Sequence, residues 1–214
     1  MTEFSHSTAP LSSMPILARG KHSNPSQGAC FMEYTALLAG ETFTDEPRCV
    51  DPELAAVLRG ANDRMSDADR SRLVPLLGRA IGLAVEPPPK RSGWNRSAAA
   101  RCERREQRLR YADQTARLRR AVSTRFMSAV GHTPSPATRV WSGHGEDVCW
   151  LFWDLMSEPT VPQGTAVYTS RLLDRIHLLH DCYEQSMREL GLPRSVPVVR
   201  ESVQDRPKDV LPAR

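Results

Sequence analysis

The strongest constraint on what this chain can fold into is its proline punctuation. Seventeen prolines are spread through 214 residues, with clusters at Pro87-Pro88-Pro89, at Pro134 and Pro136, at Pro159 and Pro162, and four more beyond residue 192. Proline cannot donate to a sheet ladder and cannot continue a helix, so each cluster is a boundary. The boundaries divide the chain into a head at 22–86, a segment at 91–190 whose first part is basic and whose second is acidic, and two ends. Residues 1–21 are Ser/Thr/Pro-rich, and residues 191–214 mix proline with charge. Neither end has an apolar period, which predicts disordered tails.

Between the boundaries the apolar residues recur at helical spacing. Strand signals are nearly absent: Val196 to Val199 is β-branched but interrupted by Pro197. Asn24-Pro25-Ser26-Gln27 supplies a cap, a proline at the first helical position and Gln at the third, predicting a helix to Ala39 with Gly40 behind it. Asp51-Pro52-Glu53 opens a second helix to Arg64, and Ser66-Asp67-Ala68-Asp69 a third, which Pro75 should divide. A fourth runs from Ser97 to Val130, with Tyr111, Leu118, Val122, Phe126 and Ala129 as its apolar face. A fifth, Glu146 to Ser157, is apolar nearly all round, as a buried helix would be. The sixth, Thr165 to Leu190, places Leu172, Ile176, Leu179, Tyr183 and Met187 on one stripe. The expected fold is all-α, an irregular bundle of about six helices.

The head carries a specific string: Gly28-x-Cys30-x-Met32-Glu33, Leu38-Ala39-Gly40-Glu41, Asp45-x-Pro47-x-Cys49-x-x-Pro52 and Asn62-Asp63. It resembles the N-terminal signature of an uncharacterised family found in actinobacteria and their phages. The resemblance spans roughly residues 22–83 and implies a helical cytosolic protein. It brings no assigned reaction, so no catalytic residue is transferred by it. Its source fits the basic composition, in which only Lys21, Lys90 and Lys208 are lysines and the other 26 basic residues are arginines. That skew is what a GC-rich genome produces, and it weakens arginine abundance as evidence for phosphate binding.

Three candidate sites follow. Glu33 lies in an otherwise apolar stretch, so it must find a partner. Arg48 or the backbone of the 41–51 loop is the expected one. Cys30 is one helical turn before it, and with His22 and Cys49 the four residues His22, Cys30, Glu33 and Cys49 form a possible zinc ligand set. Core thiols are the plainer alternative, because buried cysteine is common. His177, His180 and Glu184 fall at i, i+3 and i+7, a spacing open to a bundle metal site but ordinary on a solvated face.

The third candidate is electrostatic. The net charge of +4 conceals −2 over residues 1–90, +9 over 91–139, −5 over 140–190 and +2 over 191–214. Arg101, Arg104, Arg105 and Arg108 share one helix face and could neutralise phosphates. Pairing of the basic helix with the acidic segment is the internal alternative. Trp141, Trp150, Phe152 and Trp153 are expected in the core, or on a partner or self-association surface if exposed. The five cysteines are scattered and odd in number, and residues 1–20 lack the basic start of a signal peptide, predicting a cytoplasmic location. No stretch approaches the length of a membrane span. Nucleotide-binding, zincin and hydrolase motifs are absent. The overall expectation is a helical protein that acts through an interaction surface with a protein partner, or a second copy of itself, rather than an enzyme, with nucleic-acid binding and metal binding as alternatives.

Overall fold

The computed structural model describes residues 14–89, 97–132, 147–157 and 161–194. The architecture is all-α, and its order follows the capping signals. Helices α1 (Phe31–Leu38), α2 (Pro52–Arg64), α3 (Asp67–Arg70) and α4 (Leu77–Ala80) build the head, with a 3₁₀ turn at Ser71–Leu76 between α3 and α4. Helices α5 (Ala98–Ala129), α6 (Val148–Met156) and α7 (Ala166–Glu189) complete the bundle. Asp51, Ser66, Ser97, Asp147 and Thr165 each accept a hydrogen bond from an orphan amide at a helix start. Pro75 interrupts as its missing amide requires.

The first helix starts later than its capping signal predicts. Asn24 does cap Ser26, but only a 3₁₀ turn at Pro25–Gln27 results. The chain then turns at Gly28 with φ of +106°, where an added Cβ would sit 2.9 Å from the Ala18 side chain. Ala18 is there because residues 16–18 run beside Ala29, with Ala18 N donating to Ala29 O at 2.8 Å and Ala29 N to Ile16 O at 3.0 Å. Cys30, not Asn24, caps α1. At the other end Gly40 takes φ of +71°, and the Glu41 and Gly40 amides close onto Ala36 and Leu37, a Schellman ending.

The tail boundary also moves. Residues 14–21, assigned by composition to a disordered tail, lie as a strap across the head. Asn62 Nδ2 donates to Ala18 O at 2.9 Å, Gly20 N to Asp63 Oδ1 at 2.9 Å, and Lys21 pairs with Asp45 at 2.7 Å. The rest of both predicted tails, residues 1–13 and 195–214, lies outside the described residues, as do Trp94, Trp141 and Val196–Val199.

Head and bundle share one continuous core, running from Phe31, Met32, Leu54 and Leu58 through Leu73, Leu76 and Leu83 to Leu118, Phe126, Phe152, Leu172 and Tyr183. Phe126 stacks on Phe152 with centroids 5.8 Å apart, and Phe152 meets Trp153 edge-on at 5.1 Å. Helix α6 is less enclosed than its all-round apolar sequence predicts: Trp150 is 40% exposed. The apolar face of α5 is shorter than its spacing predicts, since Ala129 is exposed.

Gly60, in the middle of α2, lets α6 approach. A Cβ there would fall 2.6 Å from Cζ2 of Trp153, whose ring also carries the Arg64 guanidinium 4.0 Å from its centroid. Helix propensity alone favours Gly60→Ala by about 1 kcal/mol. The collision reverses the sign, and we expect a net loss of about 1–3 kcal/mol in urea unfolding. A rise in stability would contradict the close packing of Trp153 on α2.

Candidate functional site

Of the four head residues, the structure gathers three, around a carboxylate that is already satisfied. Glu33 is fully buried. Its Oε1 accepts from His22 N at 2.7 Å, and its Oε2 accepts from Cys30 N at 2.7 Å and lies 2.9 Å from His22 Nδ1. In return the Glu33 amide donates to Cys30 Sγ at 3.5 Å, completing a capping box. The expected partners, Arg48 and the 41–51 loop, belong instead to another carboxylate: Glu41 accepts from Arg48 N at 2.8 Å and Cys49 N at 2.9 Å. Glu41, not Glu33, therefore holds the loop.

Cys49 is therefore placed with Glu41, away from the His22–Glu33 pair. Burial pushes both the Cys30 and Cys49 thiols up to about 12. Zinc ligation needs thiolates. Among the described residues, no group of three or more His, Cys, Asp or Glu side chains converges to hold a metal ion. What the residues of the head do build is a clasp. Gly28, Cys30 and Glu33 hold the strap at His22, Glu41 ties the loop at Cys49, and Asn62 and Asp63 hold Ala18 and Gly20.

His180 departs from the solvated face its spacing predicts. It is completely buried, with Nδ1 donating to Ile176 O at 2.8 Å and Nε2 without a hydrogen-bond partner. Burial drives its pKa down to about 4, so it is neutral at physiological pH. His177 stays exposed, and Glu184 is engaged by Arg79 at 3.2 Å and Arg194 at 2.8 Å. The three do not form a ligand set.

Sequence reasoning missed the densest polar junction. Asp51, 1% exposed, caps α2 through Glu53 N at 2.9 Å while Tyr183 OH donates to its Oδ1 at 3.0 Å and Arg119 Nε to its Oδ2 at 3.2 Å. Glu53 lies 3.8 Å from Arg119 and accepts from Cys149 N at 3.1 Å, next to the cap of α6. Burial, reinforced by a hydrogen bond with Asp147, raises the Glu53 carboxyl above its ordinary range. One network thus ties α2, α5, α6 and α7. Two signals were available: a tyrosine on a buried stripe needs a partner for its hydroxyl, and Arg119 interrupts the apolar face between Leu118 and Val122.

The basic helix divides in two. In its second half Leu118, Val122 and Phe126 are buried, Arg119 meets Asp51, and Arg125 donates to Ser186 at 3.1 Å and pairs with Glu189. The internal pairing expected from charge therefore exists, but Arg119 finds the head rather than the acidic segment. In the first half, no residue from 98 to 117 is buried. Arg101, Arg104, Arg105 and Arg108 line a shallow depression there with Leu109. With 3.6 residues per turn, Arg104 lies in line with Leu118, Val122 and Phe126, Arg108 and Arg101 about 40° and 60° to one side of it, and Arg105 about 100° round. The line of the buried residues runs N-terminally through Tyr111, which packs against the core, to Arg104, with the other three arginines on one flank. Of the three acidic residues of α5, Glu106 and Asp113 lie opposite the buried residues and Glu103 lies about 100° from them, on the flank away from Arg105. Two of them pair locally, Glu106 with Arg110 at 4.0 Å and Asp113 with Arg117 at 3.0 Å.

In comparisons with known proteins, no family model, no curated protein and no solved structure matches the chain. Among the described residues no helix is long and apolar enough to cross a membrane.

Proposed function

We propose that this protein acts by binding, as a helical interaction protein, and that the exposed first half of α5 is its contact surface for an anionic partner. One observation carries the reading: over 98–110, a stretch of about 20 Å without a buried residue, Arg101, Arg104, Arg105 and Arg108 line one shallow depression with Leu109. An anionic partner suits such a cationic face.

The test is elution from a heparin column. Replacing Arg101, Arg104, Arg105 and Arg108 by Gln should lower the eluting salt concentration well below that of a control with Arg110, Arg117, Arg120 and Arg188 replaced, which has the same net charge. Equal elution of the two variants would show that net charge alone is responsible and would remove α5 as the site.

A further inference from the structure

Independently of α5, we propose that the head carries a peptide-binding groove beneath residues 14–22, occupied in cis by the strap, and that its partner is an extended cationic peptide segment. The strap is held by its main chain at alternate residues. Ala29 N donates to Ile16 O at 3.0 Å, and Ala29 O accepts from Ala18 N at 2.8 Å. Asn62 Nδ2 donates to Ala18 O at 2.9 Å, while Asp63 and Glu33 accept from the amides of Gly20 at 2.9 Å and His22 at 2.7 Å. Contacts at 16, 18, 20 and 22 follow the two-residue period of an extended chain, and main-chain bonds of this kind are how sheet edges and grooves take up peptides. The outward side chains add little: Ile16 is 82% and Met14 51% exposed, and Leu17 is only partly buried against the core. A segment fixed mainly by backbone bonds gains little over hydration and gives up chain entropy, so it opens before the helices beneath it.

The groove specifies what it takes. Besides the two amides, its carboxylates hold cations: Asp45 pairs with Lys21 Nζ at 2.7 Å, and Glu33 lies 2.9 Å from His22 Nδ1. Asp45, Asp63 and Glu33 thus meet four consecutive strap residues as acceptors, which suits an occupant rich in donors and positive charge. Two positions are also fixed in shape. Ala18 packs on the bare backbone of Gly28, where an added Cβ would fall 2.9 Å from the Ala18 methyl, and Gly20 takes φ of +80°, which favours glycine. The fitting sequence is therefore a small residue, then any residue, then glycine and a basic residue. The strap leaves one atom of the groove idle. Asn62 is fully buried and its Nδ2 is engaged by Ala18 O and, at 3.2 Å, by Asp63, yet its Oδ1 has no hydrogen-bond partner. A carboxamide can take a peptide N–H as well as a C=O, and a buried acceptor left unused is costly. A peptide that brings an N–H to this Oδ1 while keeping the other bonds outcompetes the strap.

The test uses the full chain and a fluorescein-labelled peptide of residues 14–22, followed by anisotropy. In the parent the cis strap competes at an effective concentration on the order of millimolar, so the peptide binds weakly. Ala18→Leu expels the strap by collision with Gly28 and should bind the peptide about tenfold more tightly than the parent does. Binding should be lost when the peptide carries Gly20→Val, and lost again when Asp63→Ala is added to the Ala18→Leu chain, with circular dichroism unchanged. Absence of saturable binding to Ala18→Leu protein of native circular dichroism overturns the proposal. So does equal binding of the Gly20→Val peptide, which would leave charge attraction alone. A second measurement needs no substitution. In native-state hydrogen exchange of the parent, the Ala18, Gly20 and His22 amides should exchange about tenfold or more faster than those of Leu58 and Ala61 in α2. Strap amides that exchange only with global unfolding overturn the proposal even where the variant does not fold. Neither result depends on the heparin elution of the α5 variants.

Discussion

Asp51→Ala should destabilise the protein by about 3 kcal/mol, read as a lowered urea midpoint with an unchanged slope. The substitution removes three acceptor roles at once: the cap on Glu53 N, the partner of the buried Tyr183 hydroxyl, and the carboxylate beside Arg119. A lost cap costs about 1 kcal/mol. Breaking a buried charge pair from one side costs about 3–5 kcal/mol when the abandoned charge has no other partner. Here Arg119 keeps Glu53 at 3.8 Å and some solvent, with its side chain 22% exposed, which places the total near the lower end. The decisive control is coupling. Asp51→Ala and Arg119→Met should be strongly non-additive in a double-mutant cycle, because each removes the same interaction. A loss below about 1 kcal/mol for Asp51→Ala, or additivity, would mean that the junction does not hold head to bundle.

The second large effect is acid sensitivity from His180. Its pKa is about 6.5 in the unfolded chain and is pushed to about 4 in the folded one by burial, against the opposing hydrogen bond to Ile176 O. A folded pKa below the unfolded one means that the unfolded state takes up the proton first. The contribution is therefore intact above pH 6.5 and declines between pH 6.5 and 4, levelling off once the folded state also titrates. At about 1.4 kcal/mol per pH unit, the decline amounts to roughly 3 kcal/mol at pH 4. His180→Leu removes both the titration and the unpaired Nε2, so its stability should be flatter than that of the parent over this window. If the two stability–pH curves run parallel from 6.5 to 4, His180 is not the origin of the acid limb.

Helices were legible where one local signal sufficed. Asp51-Pro52, Ser66, Ser97 and Thr165 mark their own helix starts, because a cap is satisfied within three residues. The start of α1 was not legible, since Asn24 and Pro25 form a correct local signal that the strap overrides. The decisive fact there is the approach of Ala18 to Gly28, a contact between two stretches with no periodicity. Sites divide on the same line. The Cys30–Glu33 relation is one helical turn and could be read, whereas the choice between Glu33 and Glu41 as the anchor of the 41–51 loop depends on which way α1 faces. His180 shows the converse, because its spacing to Glu184 suits a surface pair, yet it sits one position from Leu179 at the edge of a stripe wide enough to bury both. The arginine face of α5 was fully visible as a pattern.

The junction at Asp51 also sets a timetable for synthesis. Asp51 and Tyr183 are 132 residues apart, and Arg119 lies between them, so the carboxylate that starts α2 has no complete set of partners until most of the chain has left the ribosome. Such separation makes closure slow compared with helix formation, since the ends of a long loop must meet before the contact repays the entropy of bringing them together. The head can form its helices early, but it stays an exposed apolar half-core until α5, α6 and α7 arrive. The nascent chain is thus most prone to aggregation while its N-terminal half waits for residues 118–187.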